Sequence, residues 1–154
     1  MSCCDKLKKK IKTGHEHFKT SSAHSEKGKR IEIDVRDGKD RLSVCKVIID
    51  GGFISDPTKE KCDCLFYLCK TDKYIFVELK GNTWPKPYEQ IVSTLNYFKN
   101  DLNIKIEKAN IEACIVYGSR SPKTGNDRNT KKDEFRKKHG SVLHISQTEF
   151  VYTV

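Results

Sequence analysis

The sequence predicts a single α/β domain with a mixed central β-sheet flanked by α-helices. Three observations indicate this fold class. Two apolar, strand-like segments, residues 62–69 and 74–80, are joined by a polar turn. Residues 85–99 carry an apolar stripe at helical spacing, and residues 111–117 form an apolar run typical of a buried strand. Because a strand, a helix and a strand in this order favour a parallel crossover, the sheet should contain both antiparallel and parallel neighbours.

The first 29 residues form a polar, basic segment at the start of the predicted domain. A short helix is predicted over residues 5–18, followed by a Ser-, Lys- and Gly-rich loop over residues 20–29. The apolar side of that helix would consist of Leu7, Ile11 and Phe18. We therefore expect one helix here, and a loop after it.

Two further strands are predicted before the central hairpin. Residues 30–36 alternate between apolar and charged side chains, and residues 42–49 are mainly apolar. Residues 37–40, with the sequence DGKD, are a hairpin signal. We therefore expect these two strands to pair with each other.

The helix after the central hairpin has clear boundaries in the sequence. Asn82 or Thr83 can cap its start, and proline is tolerated in its first turn. Its apolar stripe consists of Tyr88, Ile91, Val92, Leu95 and Phe98. Trp84 and Tyr88 could stack on nucleic-acid bases, but core packing is the expected role for both.

The last part of the chain alternates between polar and apolar segments. Residues 119–140 are predicted as a polar, basic loop that contains a short helix near residues 130–139. Residues 142–146 and 150–154 are predicted as terminal strands. We find no internal repeat, so residues 1–154 are expected to form one domain.

The chain is strongly basic, with 30 Lys and Arg residues against 21 Asp and Glu residues and a formal net charge of +9. Such an excess favours polyanionic partners, nucleic acid above all, although a lysine-rich solvated surface would have the same composition. Two basic segments could contact phosphates. They comprise Lys6, Lys8, Lys9, Lys10 and Lys12, and then Lys131, Lys132, Arg136, Lys137 and Lys138.

The cysteines and the hydropathy of the chain predict its cellular location. No apolar run approaches the roughly 20 residues of a membrane span, and the N-terminus has no apolar signal region. Seven cysteines, an odd number with irregular spacing, argue against a disulfide framework and for reduced thiols. We therefore expect a cytoplasmic protein with no membrane partner.

Metal binding through thiols or imidazoles has little support in the spacing. Cys62, Cys64 and Cys69 have no CxxC pair and no nearby CxxH, so they are interpreted as small buried apolar residues. Cys62 and Cys64 should share one strand face, with Cys69 on the other. The five histidines show no zinc spacing with a partner cysteine.

Three charged residues interrupt the apolar central hairpin: Asp63, Glu78 and Lys80. Glu78 and Lys80 are two positions apart and so project from the same face of a strand. If Lys70 pairs with Lys73 across the turn, or if residues 70–73 form a four-residue loop, Asp63 lies opposite Lys80 and Glu78 is its diagonal neighbour on that face. A three-residue loop would slip the register by one and turn Asp63 to the other face.

A metal ion is the natural compensator for two carboxylates in an apolar setting, where uncompensated charge is costly. The alternative for this face is a cross-strand ion pair between Asp63 and Lys80. The third charge, Glu78, on the same face of an apolar hairpin makes catalysis the better interpretation.

Asp63, a spacer and then Glu78–Leu79–Lys80 resemble the signature of the PD-(D/E)xK nuclease superfamily. This superfamily includes restriction endonucleases, Holliday-junction resolvases and RecB-type nucleases. The sequence departs from the signature at Cys62, where proline is typical. The resemblance extends over about residues 42–117 and implies a restriction-endonuclease-like fold, with a mixed central sheet flanked by helices.

The resemblance implies a Mg²⁺-dependent nuclease that hydrolyses phosphodiester bonds, with DNA as the first expected substrate and Mn²⁺ able to replace Mg²⁺. Asp63 and Glu78 would hold the metal, with the backbone carbonyl of Leu79 as a further ligand. The metal would activate a water and stabilise charge on the scissile phosphate. Lys80 would position that water or offset charge in the transition state. Nucleases of this type often dimerise, so the resemblance also implies a possible homodimer.

Two additions to this site follow from the same resemblance. A glutamine on the helix after the ExK strand helps to shape such sites, and Gln90 lies on that helix here. Its spacing to Tyr97 departs from the RecB-type QxxxY pattern, and a solvated helix position is an equally weighted alternative. An upstream acidic residue often completes the site, and the candidates are Glu16, Glu26, Glu32 and Asp50.

The nuclease is thus the first functional hypothesis. The second is a nuclease-fold protein without catalytic activity that binds nucleic acid or another protein, since folds outlive activities. The basic composition suits both.

Overall fold

The computed structural model describes residues 1–35, 44–79, 84–118 and 125–154. Within these ranges the chain forms three α-helices and nine β-strands. The helices are α1 (Cys3–Lys10), α2 (Lys86–Asn96) and α3 (Gly125–Lys138). The strands are β1 (Phe18–Thr20), β2 (Ala23–Glu26), β3 (Lys29–Asp34), β4 (Val44–Ile48), β5 (Cys64–Leu68), β6 (Lys73–Leu79), β7 (Ile111–Tyr117), β8 (Val142–Gln147) and β9 (Glu149–Thr153).

The central sheet has six strands in the order β1-β4-β5-β6-β7-β8. Neighbours from β1 to β6 are antiparallel, whereas β6, β7 and β8 are parallel. The parallel pair β6 and β7 is joined by the crossover through α2, as the order of strand, helix and strand predicts. The predicted α/β class with a mixed central sheet flanked by helices is therefore confirmed.

A second, three-stranded sheet has the order β2-β3-β9. It was not predicted, because β2 lies in the segment 20–29 that was expected to be a loop. The sequence of β2, AHSE, has no alternation of apolar residues, and the strand forms by antiparallel pairing with β3. Strand β9 completes this sheet in parallel with β3. Pairing with the edge of β3 therefore outweighs the weak strand propensity of residues 23–26.

The predicted hairpin between the strands at residues 30–36 and 42–49 is wrong. Strand β3 pairs with β2 and β9, and β4 pairs with β1 and β5, so the two belong to different sheets. The turn residues 37–40 lie outside the described residues.

The apolar core consists of two layers, one on each face of the central sheet. The helix-side layer joins α1, α2 and α3 to the sheet and includes Leu7, Ile11, Leu65, Phe76, Ile91, Phe98, Ile115 and Phe135. The inter-sheet layer lies between the two sheets and includes Ile31, Ile33, Cys64, Phe66, Ile75, Val77, Leu79 and Val116. The alternation of side chains along β5 and β6 sends successive residues into different layers.

Helix α1 starts with a capping box, in which Ser2 and Asp5 each accept a hydrogen bond from the other's backbone N–H. Leu7 and Ile11 are buried as predicted. The helix ends at Lys10, however, and not at Phe18 as expected. Phe18 instead begins β1, where it pairs with Val47 of β4.

Two disulfides fasten α1 to the central sheet: Cys3–Cys69 and Cys4–Cys45. The expectation of seven reduced thiols is therefore wrong. Proximity in space brings together cysteines that are 66 and 41 residues apart in the chain. The other three cysteines, Cys62, Cys64 and Cys114, are free and buried, as small apolar residues are.

Helices and strands in the second half agree well with prediction. Helix α2 begins one residue after Pro85 and continues into a π-helical turn at residues 97–101. Strand β7 has the predicted bounds, and α3 is longer than the predicted short helix. None of the helices in the described part of the chain is long and apolar enough to cross a membrane.

Candidate functional site

The central hairpin has a different register from the predicted one. Lys73 faces Leu68, not Lys70, and the loop between β5 and β6 therefore contains four residues. Asp72 in this loop has φ = 53°, a left-handed conformation that Asp tolerates better than most residues. Relative to the predicted pairing, β5 is shifted by two residues along β6, so different residues lie opposite each other. Lys80, the predicted partner of Asp63, lies outside the described residues.

Asp63 lies in a β-bulge at the entry to β5. Its backbone N–H donates to the carbonyl of Val77 at an N–O distance of 3.0 Å, and Val77 is also the register partner of Cys64. Two residues thus face one, which is the defining feature of a bulge. As a result Cys62 lies in the helix-side layer and Cys64 in the inter-sheet layer. The prediction that these two cysteines share a face is wrong.

The bulge positions the Asp63 side chain. Its Oδ2 accepts the backbone N–H of Leu79 at 2.7 Å, and the side chain is only 6 % exposed. The backbone carbonyl of Asp63 accepts the N–H groups of Ile49 and Asp50, at 3.0 and 3.3 Å. Asp63 is therefore held from β6 and from the end of β4.

Asp63 belongs to a cluster with His24 and Glu26 of β2. One ligand atom from each of the three lies within 4.8 Å of the other two. His24 is the register partner of Ile31, and Glu26 that of Lys29, so both project toward the inter-sheet layer, where Ile31 packs. The cluster thus brings together side chains from both sheets.

Among the four upstream acidic candidates, Glu26 is the one found in this cluster. Each of the others lies beside a basic side chain. Glu16 is 3.3 Å from His17, Glu32 is 3.6 Å from Arg30, and Asp50 is 3.9 Å from Lys61.

A buried lysine borders the cluster. Lys46 of β4 faces Phe66 in the register, and its Nζ donates to the carbonyl of Ala23, next to His24, at 2.9 Å. Burial lowers the pKa of the His24 imidazole, and the charge of Lys46 lowers it further, although Asp63 acts in the opposite direction. The neutral imidazole is the form that binds metal ions.

Glu78 is fully buried on β6, directly before Leu79. By alternation along β6 it shares a face with Tyr74 and Phe76, which pack in the helix-side layer. Burial raises the pKa of the neighbouring Cys62 thiol, and the charge of Glu78 raises it further. Because the bulge turns Asp63 toward the second sheet, the two carboxylates do not share a face as predicted.

Gln90 is buried in α2, with 7 % of its surface exposed. It lies one turn before Thr94, whose hydroxyl donates to the Gln90 carbonyl and accepts the N–H of Cys62, both at 2.8 Å. The alternative of a solvated helix position is therefore wrong. Gln90 belongs to the helical turn that anchors the chain directly before Asp63.

Trp84 and Tyr88 both pack against the protein rather than lying open on its surface. Tyr88 is buried in the helix-side layer, and Trp84 is partly buried against that layer, as expected for core residues. The indole Nε1 of Trp84 also donates to the carboxylate of Asp127 in α3.

The two basic segments differ in how far their charge is neutralised. In the first, Lys10 pairs with Asp72 at 2.7 Å, whereas Lys6, Lys8 and Lys9 are exposed on α1. In α3, Lys131 and Lys138 lie 3.4 and 3.6 Å from Glu134.

Sequence reasoning missed His24, because the search for zinc spacing paired histidines with cysteines only. A signal for it exists: His24 and Glu26 are two positions apart and therefore share a face on a strand. Because residues 20–29 were predicted to be a loop, the two side chains were not expected to share a strand face.

No protein-family model, curated protein or solved structure matches this chain at a significant level. The chemistry of the cluster formed by His24, Glu26 and Asp63 is therefore inferred from these residues alone.

Proposed function

We propose that this protein is a divalent-metal-dependent nuclease that hydrolyses phosphodiester bonds, with DNA as its first candidate substrate. The observation that carries the proposal is the position of Asp63 at the start of the central hairpin. It is held by the N–H of Leu79 and lies with Glu26 and His24 in a cluster of potential ligands. Carboxylate oxygens are the ligands of Mg²⁺ and Mn²⁺.

The donor set fits a divalent cation. Two carboxylates and an imidazole within 4.8 Å of one another concentrate negative charge in a partly buried site. When bound, Mg²⁺ or Mn²⁺ would supply a Lewis acid for the phosphate and lower the pKa of a bound water. Asp63 orients the site because Leu79 restricts its carboxylate, and Glu26 contributes the upstream acid.

The remaining residues of the motif have supporting roles in this proposal. Glu78 directly precedes Leu79 and lies on the other face of β6 from the cluster, so its buried carboxylate would balance positive charge from the metal through the sheet. The Leu79 carbonyl is a further proposed ligand. Lys80 would position the attacking water or stabilise charge on the phosphate. Gln90 would support the site from α2, through the turn that holds Cys62.

The architecture and charge are consistent with this function. The resemblance to PD-(D/E)xK nucleases implies a mixed central sheet flanked by helices, and the chain has such a sheet with its helices packed in one layer; we propose the restriction-endonuclease-like fold on that basis. A net charge of +9 suits a polyanionic substrate, and a homodimer is the proposed assembly for cutting two strands. A cytoplasmic location is a prediction that the two disulfides weigh against, because they persist in oxidising compartments.

The experiment is cleavage of supercoiled plasmid and of labelled single- and double-stranded oligonucleotides, DNA and RNA, with Mg²⁺ or Mn²⁺. The wild type should cut at least one of these substrates. Asp63→Asn, Glu78→Gln and Lys80→Met should each lower the cleavage rate by at least about a hundredfold, because each removes a metal ligand, a charge that balances the metal or a charge that stabilises the transition state. Chelation with EDTA should abolish cleavage.

Matched controls are Asp133→Asn, Glu60→Gln and Lys105→Met, which change the same residue types at positions outside the site. These variants should cut like the wild type. If the wild type cuts none of the substrates, or if the three site variants cut as well as their controls, the protein is not a nuclease of this type. Binding of nucleic acid without cleavage would support the alternative of an inactive nuclease-fold binding module.

A further inference from the structure

Three side chains of the candidate site come from elements that are far apart in the chain. His24 and Glu26 lie on β2 of the second sheet, and Asp63 lies in the bulge before β5 of the central sheet. Their ligand atoms nevertheless lie within 4.8 Å of one another. Two ligand atoms that share one first-row metal ion at about 2.0–2.2 Å are at most about 4.4 Å apart, so small side-chain adjustments would bring all three into contact with one ion.

The three side chains are available as ligands. Within residues 1–35 and the other described ranges, none of them forms an ion pair, and their one side-chain hydrogen bond joins Asp63 to Leu79. The second oxygen of the Asp63 carboxylate has no hydrogen-bond partner there and is not completely buried, so an ion can reach it. The nearest buried cation, Lys46, donates to the carbonyl of Ala23. Two carboxylates this close are stabilised by a cation between them.

The donor set distinguishes between metals. Mg²⁺ prefers oxygen ligands and retains several waters, so an imidazole nitrogen adds little to its binding. Imidazole suits the first-row transition metals, and carboxylates suit Mn²⁺ among them. The nearby thiols of Cys62 and Cys64 are not part of the cluster, so the soft sulfur ligands that select zinc or copper are not part of the donor set.

We propose that His24, Glu26 and Asp63 form a Mn²⁺ site that joins the second sheet to the central sheet and prefers Mn²⁺ to Mg²⁺ because of His24. The site rests on the proposed function in that it would be the metal site of the nuclease. Its binding properties can nevertheless be tested without any substrate.

The test uses the full-length protein, freed of metal with EDTA and titrated with Mn²⁺ while free Mn²⁺ is followed by electron paramagnetic resonance. One Mn²⁺ per chain should bind. Pulsed measurements on the bound ion should show ¹⁴N modulation from the His24 imidazole. Mg²⁺ should displace Mn²⁺ only at a concentration at least about tenfold higher, as expected when a nitrogen ligand favours the transition metal.

Two variants isolate the contribution of the imidazole. His24→Gln retains an oxygen donor, so it should lose the ¹⁴N modulation and most of the preference for Mn²⁺. Glu26→Gln should weaken Mn²⁺ binding by at least about tenfold. His17→Gln is the matched control, because His17 lies outside the cluster, and it should behave like the wild type.

Three results would overturn the proposal: no Mn²⁺ binding, bound Mn²⁺ without ¹⁴N modulation, or a His24→Gln variant with unchanged metal preference. If His24→Gln fails to fold, the wild-type spectrum still tests for a nitrogen ligand, and its absence would overturn the proposal. If the protein binds Mn²⁺ through His24 but cuts no nucleic acid, the metal site is supported and the proposed nuclease function is refuted. If it cuts nucleic acid with Mg²⁺ and shows no nitrogen ligand, the nuclease function is supported and this metal site is refuted.

Discussion

The Oδ2 atom of Asp63 lies 2.7 Å from the backbone nitrogen of Leu79, and this hydrogen bond ties the β-bulge before β5 to the end of β6. The same carboxylate belongs to the cluster with His24 and Glu26. Asp63 therefore has a structural role through one oxygen, and we propose a chemical role through its charge. These two roles can be separated by substitution.

The first prediction separates them with Asp63→Asn and Asp63→Ala. Asparagine retains a carbonyl oxygen that can accept the Leu79 N–H, so the free energy of unfolding should stay close to the wild-type value. Alanine leaves that N–H without its partner in a buried position, which should cost about 1–3 kcal/mol. Urea denaturation measures both. Both variants should lose Mn²⁺ binding, and equal destabilisation by the two would contradict the structural role of the hydrogen bond.

The second prediction concerns Thr94, which is fully buried and joins α2 to the segment before Asp63. Thr94→Val keeps the shape of the side chain but leaves the Cys62 N–H without an acceptor. The free energy of unfolding should fall by about 1–3 kcal/mol. Thr94→Ser retains the hydroxyl and should cost clearly less. A Val variant as stable as the Ser variant would show that this hydrogen bond contributes little.

Strong local patterns made the second half of the fold predictable. The apolar stripe of α2 and the continuous apolar run of β7 each identify one element, and their order identifies the parallel crossover. Strand β2 lacked such a pattern, since its residues AHSE pair with β3 mainly through backbone hydrogen bonds. The contacts that bring Cys3 to Cys69 depend on the packing of α1 on the completed sheet, which no local pattern records.

Two members of the cluster, Asp63 and Glu26, were among the residues that the sequence singled out, whereas their arrangement was not predictable. Asp63 and Glu78 stand out as charges in an apolar hairpin, and Glu26 was among four acidic candidates. Their arrangement depends on two backbone details, the left-handed Asp72 in the turn and the bulge at Asp63. A bulge adds one residue to one strand and moves a side chain to the other face. Neither feature has a distinctive sequence signal here.

The third prediction tests the two disulfides. Under denaturing conditions without reductant, three of the seven cysteines should react with a thiol reagent, and all seven should react after reduction. Reduction should also lower the free energy of unfolding, because each disulfide restricts the unfolded chain and typically contributes about 2–4 kcal/mol. The double variant Cys4→Ser/Cys45→Ser should lose only part of this stability. Seven reactive thiols before reduction would show that the chain is reduced.

A third buried carboxylate, Glu112 of β7, joins the two sheets at a position away from the candidate site. Its Oε1 lies 2.8 Å from Nε2 of His144 in β8, and its Oε2 accepts the hydroxyl of Tyr152 in β9 at 2.7 Å. Lys73 lies 3.6 Å away. Burial raises the pKa of Glu112, but the hydrogen bonds from His144 and Tyr152 and the charge of Lys73 outweigh it, so the pKa lies below its ordinary value of 4.5.

The fourth prediction follows from this lowered pKa. Because the folded protein binds the Glu112 proton less tightly than the unfolded chain, ionised Glu112 stabilises the fold above about pH 4.5. That stabilisation is lost as the pH falls through the lower, folded-state pKa. Glu112→Gln should therefore lower the free energy of unfolding by about 1.5–3 kcal/mol at pH 7, the range for hydrogen bonds to a charged group, and by clearly less at pH 3. Urea denaturation at both pH values measures the difference. Glu149→Gln, which changes an exposed glutamate of β9, should shift neither value, and an equal loss for Glu112→Gln at both pH values would refute the role of its charge.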